Sequence, residues 1–171
     1  SDWSSDVCSS DLRRDLFTEL GGLDESFGSY LEDVDFGIRC AAARKSGIYV
    51  PTAVAYHRGS STLGRWNPDT VQLIAKNQVL LAAKYFQHQP SLPLVAGQLL
   101  WGLVAAKHGC GFAYLKGRKA GKTILSKAPT VSSETSTRLA EIFEESEREI
   151  LTVQQATGFD GYWRAYFCLA R

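Results

Sequence analysis

The sequence keeps no two cysteines at Cys-x-x-Cys spacing, repeats no segment of itself, and contains no apolar run as long as the roughly 20 residues a membrane-spanning helix needs. Each absence closes off a class of protein. The four cysteines, at positions 8, 40, 110 and 168, form no cluster with histidine at metal-finger spacing, so neither a zinc finger nor a disulfide framework is expected. Reduced thiols of a cytoplasmic protein are the plain reading. No basic segment followed by an apolar core and a cleavage site opens the chain, so secretion is not expected.

What is present is the makeup of a folded domain. The chain has 171 residues, 44% hydrophobic and 22% charged. That is enough for one domain, or a domain with an appendage, and too apolar for a disordered chain.

The first twelve residues, SDWSSDVCSSDL, have turn formers and neither a period of 2 nor one of 3.6, which by itself reads as a frayed tail. Asp2 to Leu12 is also similar, residue for residue, to the translation of a widely used sequencing-library adaptor. That similarity implies a non-native tail over 1–12, and a native chain expected to begin upstream of Arg13. Setting aside Asp2, Asp6 and Asp11 raises the formal charge from +1 to +4, a small bias toward anionic partners.

From Arg13 the pattern predicts a short helix stopped at Gly21-Gly22, an acidic loop, and a second helix ending at Gly47. IYVPTAVAYH is β-branched and aromatic but interrupted by Pro51, which suits an edge strand or two strand fragments. Asn67-Pro68-Asp69 supplies an N-cap, a first-turn proline and an early acid for a helix running to about Gln87.

Between Leu92 and Ala106 apolar residues crowd almost the whole circumference, and Lys107, Lys116, Arg118, Lys119, Lys122 and Lys127 follow without an acid. This order suits docking on a membrane surface. A buried helix followed by a solvated charged loop fits it as well, and a spanning helix is the third reading. Beyond Pro129 an amphipathic helix with an acidic outer face runs to a stop at Gly158. Phe159, Tyr162, Trp163, Tyr166 and Phe167 then make an aromatic stripe, either packed on neighbouring helices or lying at a bilayer interface.

Functional groups are densest at Asp24, Glu25, Glu32, Asp33 and Asp35, with His57 following in AYHRGSST. Taken alone, acids ahead of a helix cap it and complement its dipole. Asp33-Val34-Asp35 has the form of a DxD metal motif. Residues two apart on a helix point about 200° from each other, however, so joint chelation is not expected.

The ordered run GGLDESFGSYLEDVDFGIRC, then GIYVP, then AVAYHRGSST resembles the C-terminal half of the nucleotide-binding GT-A fold in family 2 inverting glycosyltransferases, especially the rhamnosyl- and galactofuranosyltransferase-like members. Their segment has the form GGFDE-x-F-x-x-Y-x-EDVDL-x-x-R-x-x-x-x-G, with Leu23 and Phe36 as hydrophobic variants here. The resemblance is specific from about Arg13 to Phe86 and weaker beyond.

It implies an α/β fragment, mostly helical: 1–12 a non-native tail, 13–88 the C-terminal part of a Rossmann-like GT-A catalytic domain, and 89–171 a helical extension that could associate with a membrane. The implied activity is inverting transfer of a sugar from a nucleoside-diphosphate donor to a glycan or lipid-linked acceptor in bacterial cell-surface polysaccharide synthesis. By position, Asp33 would be the base that deprotonates the acceptor hydroxyl and Glu32 would orient the site. His57 would join a divalent cation, manganese or magnesium, whose carboxylate co-ligands lie in the absent donor half. Asp24, Glu25, Ser60, Ser61, Thr62, Arg65 and Trp66 would lie near the diphosphate or acceptor, and Arg39 and Asn77 read as structural.

Without the donor half the fragment is expected to be inactive alone. Its expected location is the cytoplasm, peripheral at the inner face of the plasma membrane, with an anionic membrane surface as a further partner and no nucleic acid. The competing reading is a non-catalytic peripheral membrane or scaffold module in which the acidic cluster merely caps a helix.

Overall fold

The structure is a computed structural model that describes residues 12–48, 50, 52, 66–86, 92–124 and 131–170. Among the described residues it contains helices and no strand: α1 (Arg14–Glu19), α2 (Glu32–Ala42), α3 (Pro68–Tyr85), α4 (Leu92–Lys107), α5 (Gly111–Thr123), α6 (Ser133–Thr157) and α7 (Gly161–Leu169). The stretch expected to form strand fragments falls mainly on residues outside the described set, so the α/β half-domain stays an expectation.

Local chemistry explains most helix boundaries. The Asn67 side chain accepts the Asp69 backbone N–H at 2.8 Å with Pro68 in the first turn of α3. Ser132 and Asp160 cap α6 and α7 in the same way, satisfying donors that a helix start otherwise leaves unpaired.

Two expectations need correction. The second helix stops at Ala42, well before Gly47, because Arg44 turns into the left-handed region at φ 58°. The Lys45 N–H closes back on the Cys40 carbonyl at 2.9 Å, a C-terminal turn that glycine usually supplies. The basic stretch after α4 is not a loop through its length: Gly111–Thr123 is the helix α5.

What the charge pattern hides in α5 is its row of small residues. Gly117 and Gly121, four apart, face α3 so closely that a Cβ on Gly117 would stand 2.2 Å from the Gln72 carbonyl oxygen and 2.8 Å from the Ala75 Cβ. One on Gly121 would meet the Val79 Cβ at 2.7 Å. Helix α5 therefore lies along α3 at backbone contact distance. On its other side Tyr114 fits over Gly102 of α4 and donates to the Gln98 carbonyl at 2.8 Å, while Arg118 donates to the Gln98 side chain at 2.7 Å.

Two apolar clusters result. Val71, Ala75, Ala105, Cys110 and Tyr114 join α3, α4 and α5, with Trp66 and Trp101 packed against them. Ile38, Tyr85 and Leu139 join α2, α3 and α6, and Phe86 stacks on Phe143 with ring centroids 4.7 Å apart. Part of the aromatic stripe of α7 packs on α4, where Tyr162 and Tyr166 flank Gly97 and the Tyr162 hydroxyl donates to the Gly97 carbonyl at 3.2 Å. Between α3, α4, α6 and α7 an apolar groove of about 470 Å³ remains.

Candidate functional site

The acidic segment is built on a turn that carries backbone strain. Tyr30 and Leu31, at φ 69° and 68°, are consecutive non-glycine residues in the left-handed region immediately before Glu32 opens α2. Such residues cost on the order of 1 kcal/mol or more each and persist only where their surroundings over-determine them. Here Asn77, wholly buried on α3, does so: its two Nδ2 hydrogens face the carbonyl oxygens of Phe27, Ser29 and Tyr30 at 3.0, 2.8 and 2.6 Å. Phe27 is buried beneath the turn, and the Asp24 carboxylate accepts the Ser26 N–H at 3.0 Å to start it.

The two aspartates of Asp33-Val34-Asp35 then part company. Asp33 is exposed in the first turn of α2 and accepts the neighbouring Val34 N–H at 2.8 Å. Asp35 is fully buried and takes Lys84 Nζ and the Tyr85 hydroxyl on one oxygen, each at 2.7 Å, and Arg39 Nε on the other at 2.9 Å. Arg39 uses its remaining nitrogens on the carbonyls of Leu20 and Gly22, both at 2.6 Å, which ties α2 to the end of α1. Lys84 also donates to Asp24 at 2.8 Å. Burial, and next the bond to Asp35, push the Tyr85 hydroxyl above its ordinary range.

Glu32 is half-buried, and its Oε2 is enclosed with no hydrogen-bond partner among the described residues. A buried polar atom left without a partner in the fold is unusual, and here it belongs to the residue next in sequence to the exposed Asp33. Glu25 is exposed and Asp24 half-buried. Trp66 belongs to the α3–α5 cluster, stacked on His108 with ring centroids 4.1 Å apart. His57, Ser60, Ser61, Thr62 and Arg65 lie outside the described residues.

No three histidine, cysteine or acidic side chains among the described residues are grouped to hold a metal ion, and Asp35 is already engaged by Lys84, Tyr85 and Arg39. The described residues alone therefore do not furnish a site for a divalent cation.

Lys84 and Tyr85 went unnoticed in the sequence as functional neighbours of the acids. A signal was there: Thr70, Asn77 and Lys84 recur every seventh residue on an otherwise largely apolar helix, which puts them on nearly one line. Each reaches the acidic segment, Thr70 through the Tyr30 hydroxyl at 3.4 Å, Asn77 through the turn, and Lys84 through Asp24 and Asp35.

The Lys84 bridge predicts acid sensitivity. Burial raises the Asp24 carboxyl, but the bonds from Lys84 and Ser26 outweigh it and hold the group at about 2, below the ordinary 3.8. A depressed carboxylate stabilises the fold fully above pH 4, and that contribution disappears as pH falls toward 2. It should amount to about 2 kcal/mol. Urea midpoints at pH 5 and pH 2 should therefore differ less for Asp24→Asn than for the unmodified chain.

No protein-family model matches the chain, and no solved structure matches it significantly. Over 63 residues, 37% of this chain, it is 40% identical to the N-acetylglucosaminyl-diphospho-decaprenol L-rhamnosyltransferase of Mycobacterium tuberculosis, in strains CDC 1551 / Oshkosh and ATCC 25618 / H37Rv alike. The match takes in 20% of that protein, so the chain spans about a fifth of the length of the curated relatives it matches. At that coarse level the chain is related to glycosyltransferases.

Proposed function

We propose that the chain is the acceptor side of an inverting glycosyltransferase, in which Asp33 takes the proton of the acceptor hydroxyl as that oxygen attacks the sugar carbon of a nucleoside-diphosphate donor. Glu32 orients the acceptor, and the acceptor is a glycan or a lipid-linked saccharide of bacterial cell-surface polysaccharide synthesis. The observation that carries this reading is the division of labour within Glu32-Asp33-Val34-Asp35. Asp35 is buried and holds α2 in place through Lys84, Tyr85 and Arg39, while Asp33, two residues earlier on the same helix, is exposed.

A general base must reach its proton within hydrogen-bond distance and must not wander. The clamp on Asp35 and the latch from Asn77 fix the backbone that carries Asp33, and the acceptor would approach from its exposed side. The similarity to a rhamnosyltransferase supports a nucleotide-sugar donor. The divalent cation with His57 as ligand, the contacts of Ser60, Ser61, Thr62 and Arg65, and the GT-A fold belong to the same proposal.

The test is made in the full-length gene product that contains residues 13–171. Asp33→Asn should lower kcat by about 100-fold or more with the thermal midpoint little changed, as expected on loss of a general base. Transfer at the unmodified rate would remove Asp33 from the mechanism.

A further inference from the structure

Among the described residues nothing covers the outer face of the α4–α5 hairpin, which carries apolar and basic side chains. On α4, Leu92, Val95, Leu99 and Leu103 are exposed, Leu103 at 66%. Their spacing of three, four and four confines them to a sector about 80° wide. The opposite side of α4 carries Gly97 against α7, and Gln98 and Gly102 meet Tyr114 and Arg118 of α5. On α5, Phe112 at 90% exposure and Leu115 share the outer side with exposed Lys116, Lys119 and Lys122, while Tyr114, Gly117 and Gly121 turn inward.

The contacts of Gly102 with Tyr114 and of Gln98 with Arg118 make the two helices antiparallel. The α4 stripe lies about a quarter turn from the side that meets α5. The exposed sector of α5 lies about a third of a turn from the side that meets α4. Reversing the helix direction reverses the sense of that rotation, so both sectors look to the same side of the molecule. Scattered exposed leucines are ordinary on a protein surface, but an aligned row of this kind marks a contact.

We propose that this face docks on an anionic phospholipid bilayer. Charge complementarity selects the occupant: no aspartate or glutamate occurs between Asp69 and Glu134, whereas Lys107, Lys116, Lys119 and Lys122 are exposed on the hairpin. Among the described residues no helix is long and apolar enough to cross a membrane. An apolar stripe bordered by lysines instead suits a pair of helices lying in the headgroup region, with leucine and phenylalanine at the acyl boundary and ammonium groups at the phosphates. Bilayer docking by this face does not depend on the reaction proposed above.

The experiment is flotation of the chain with vesicles of phosphatidylglycerol and phosphatidylcholine, against vesicles of phosphatidylcholine alone. The expected result is binding to the anionic vesicles that weakens in high salt. It should fall at least tenfold both in Lys116→Glu/Lys119→Glu/Lys122→Glu and in Leu99→Gln/Leu103→Gln/Phe112→Ser. Both variants change exposed residues, and circular dichroism should show unaltered helix content. No binding to anionic vesicles overturns the proposal. So does binding lost by the charge variant but kept by the apolar one, which would be simple electrostatic attraction. A concentration-dependent dimer abolished by the apolar variant, without vesicle binding, would assign the face to a second copy of the chain.

Discussion

Asp35→Ala should cost about 3 to 5 kcal/mol of folding stability, read as a drop in the urea midpoint, because it removes the buried carboxylate on which Lys84, Tyr85 and Arg39 converge. Lys84 and Arg39 keep only 11% and 20% of their side-chain surface exposed. Without Asp35 two cations would face each other where little water screens them. Arg39 would retain its carbonyl partners and Lys84 would retain Asp24, so the loss falls chiefly on the join between α2 and α3. The matching change two residues earlier, Asp33→Ala, should cost about 1 kcal/mol or less, the scale of a single charge at a helix start. Equal costs at the two positions would contradict the division of labour on which the proposed base rests.

Gly117→Ala is expected to destabilise by about 2 to 3 kcal/mol, although alanine is the better helix former by about 1 kcal/mol. The added methyl has nowhere to go. Its nearest neighbours are a backbone carbonyl and the Ala75 methyl, neither of which can swing aside as a long side chain would, so α5 must lift from α3. Gly37→Ala is the internal control. Gly37 lies mid-helix in α2 with nothing within 4 Å of the position a Cβ would take, and the substitution should stabilise by about 0.4 to 1 kcal/mol. Thermal unfolding of the two variants side by side separates contact from propensity: opposite signs are expected, and a shared sign would mean that α3 and α5 are not in backbone contact.

Much of the helical layout could be read from punctuation. Asn67-Pro68-Asp69, Gly21-Gly22 and Gly158 all mark real boundaries, because caps and glycines act within one turn of where they stand. The failures have a common cause. Arg44 ends α2 in a conformation its type gives no hint of, and α5 is helical despite three glycines and a dense positive charge. Its stability comes from the close fit to α3, a contact between residues about forty apart that no local pattern reveals. The acids were located by spacing, yet which of Asp33 and Asp35 is buried depends on where Lys84 and Tyr85 arrive from α3. The 200° separation predicted that the pair would diverge, and only the packing decides which one turns inward.

The latch on the turn before α2 also sets an order of assembly. Tyr30 and Leu31 hold their unfavourable conformation through Asn77, which lies 47 residues after Tyr30. Residues 13–48 in isolation therefore lack the means to present Glu32 and Asp33 as the folded chain does. The acidic pair takes up its position in the fold only once α3 has docked, so its placement reports on tertiary structure rather than on the helix that carries it.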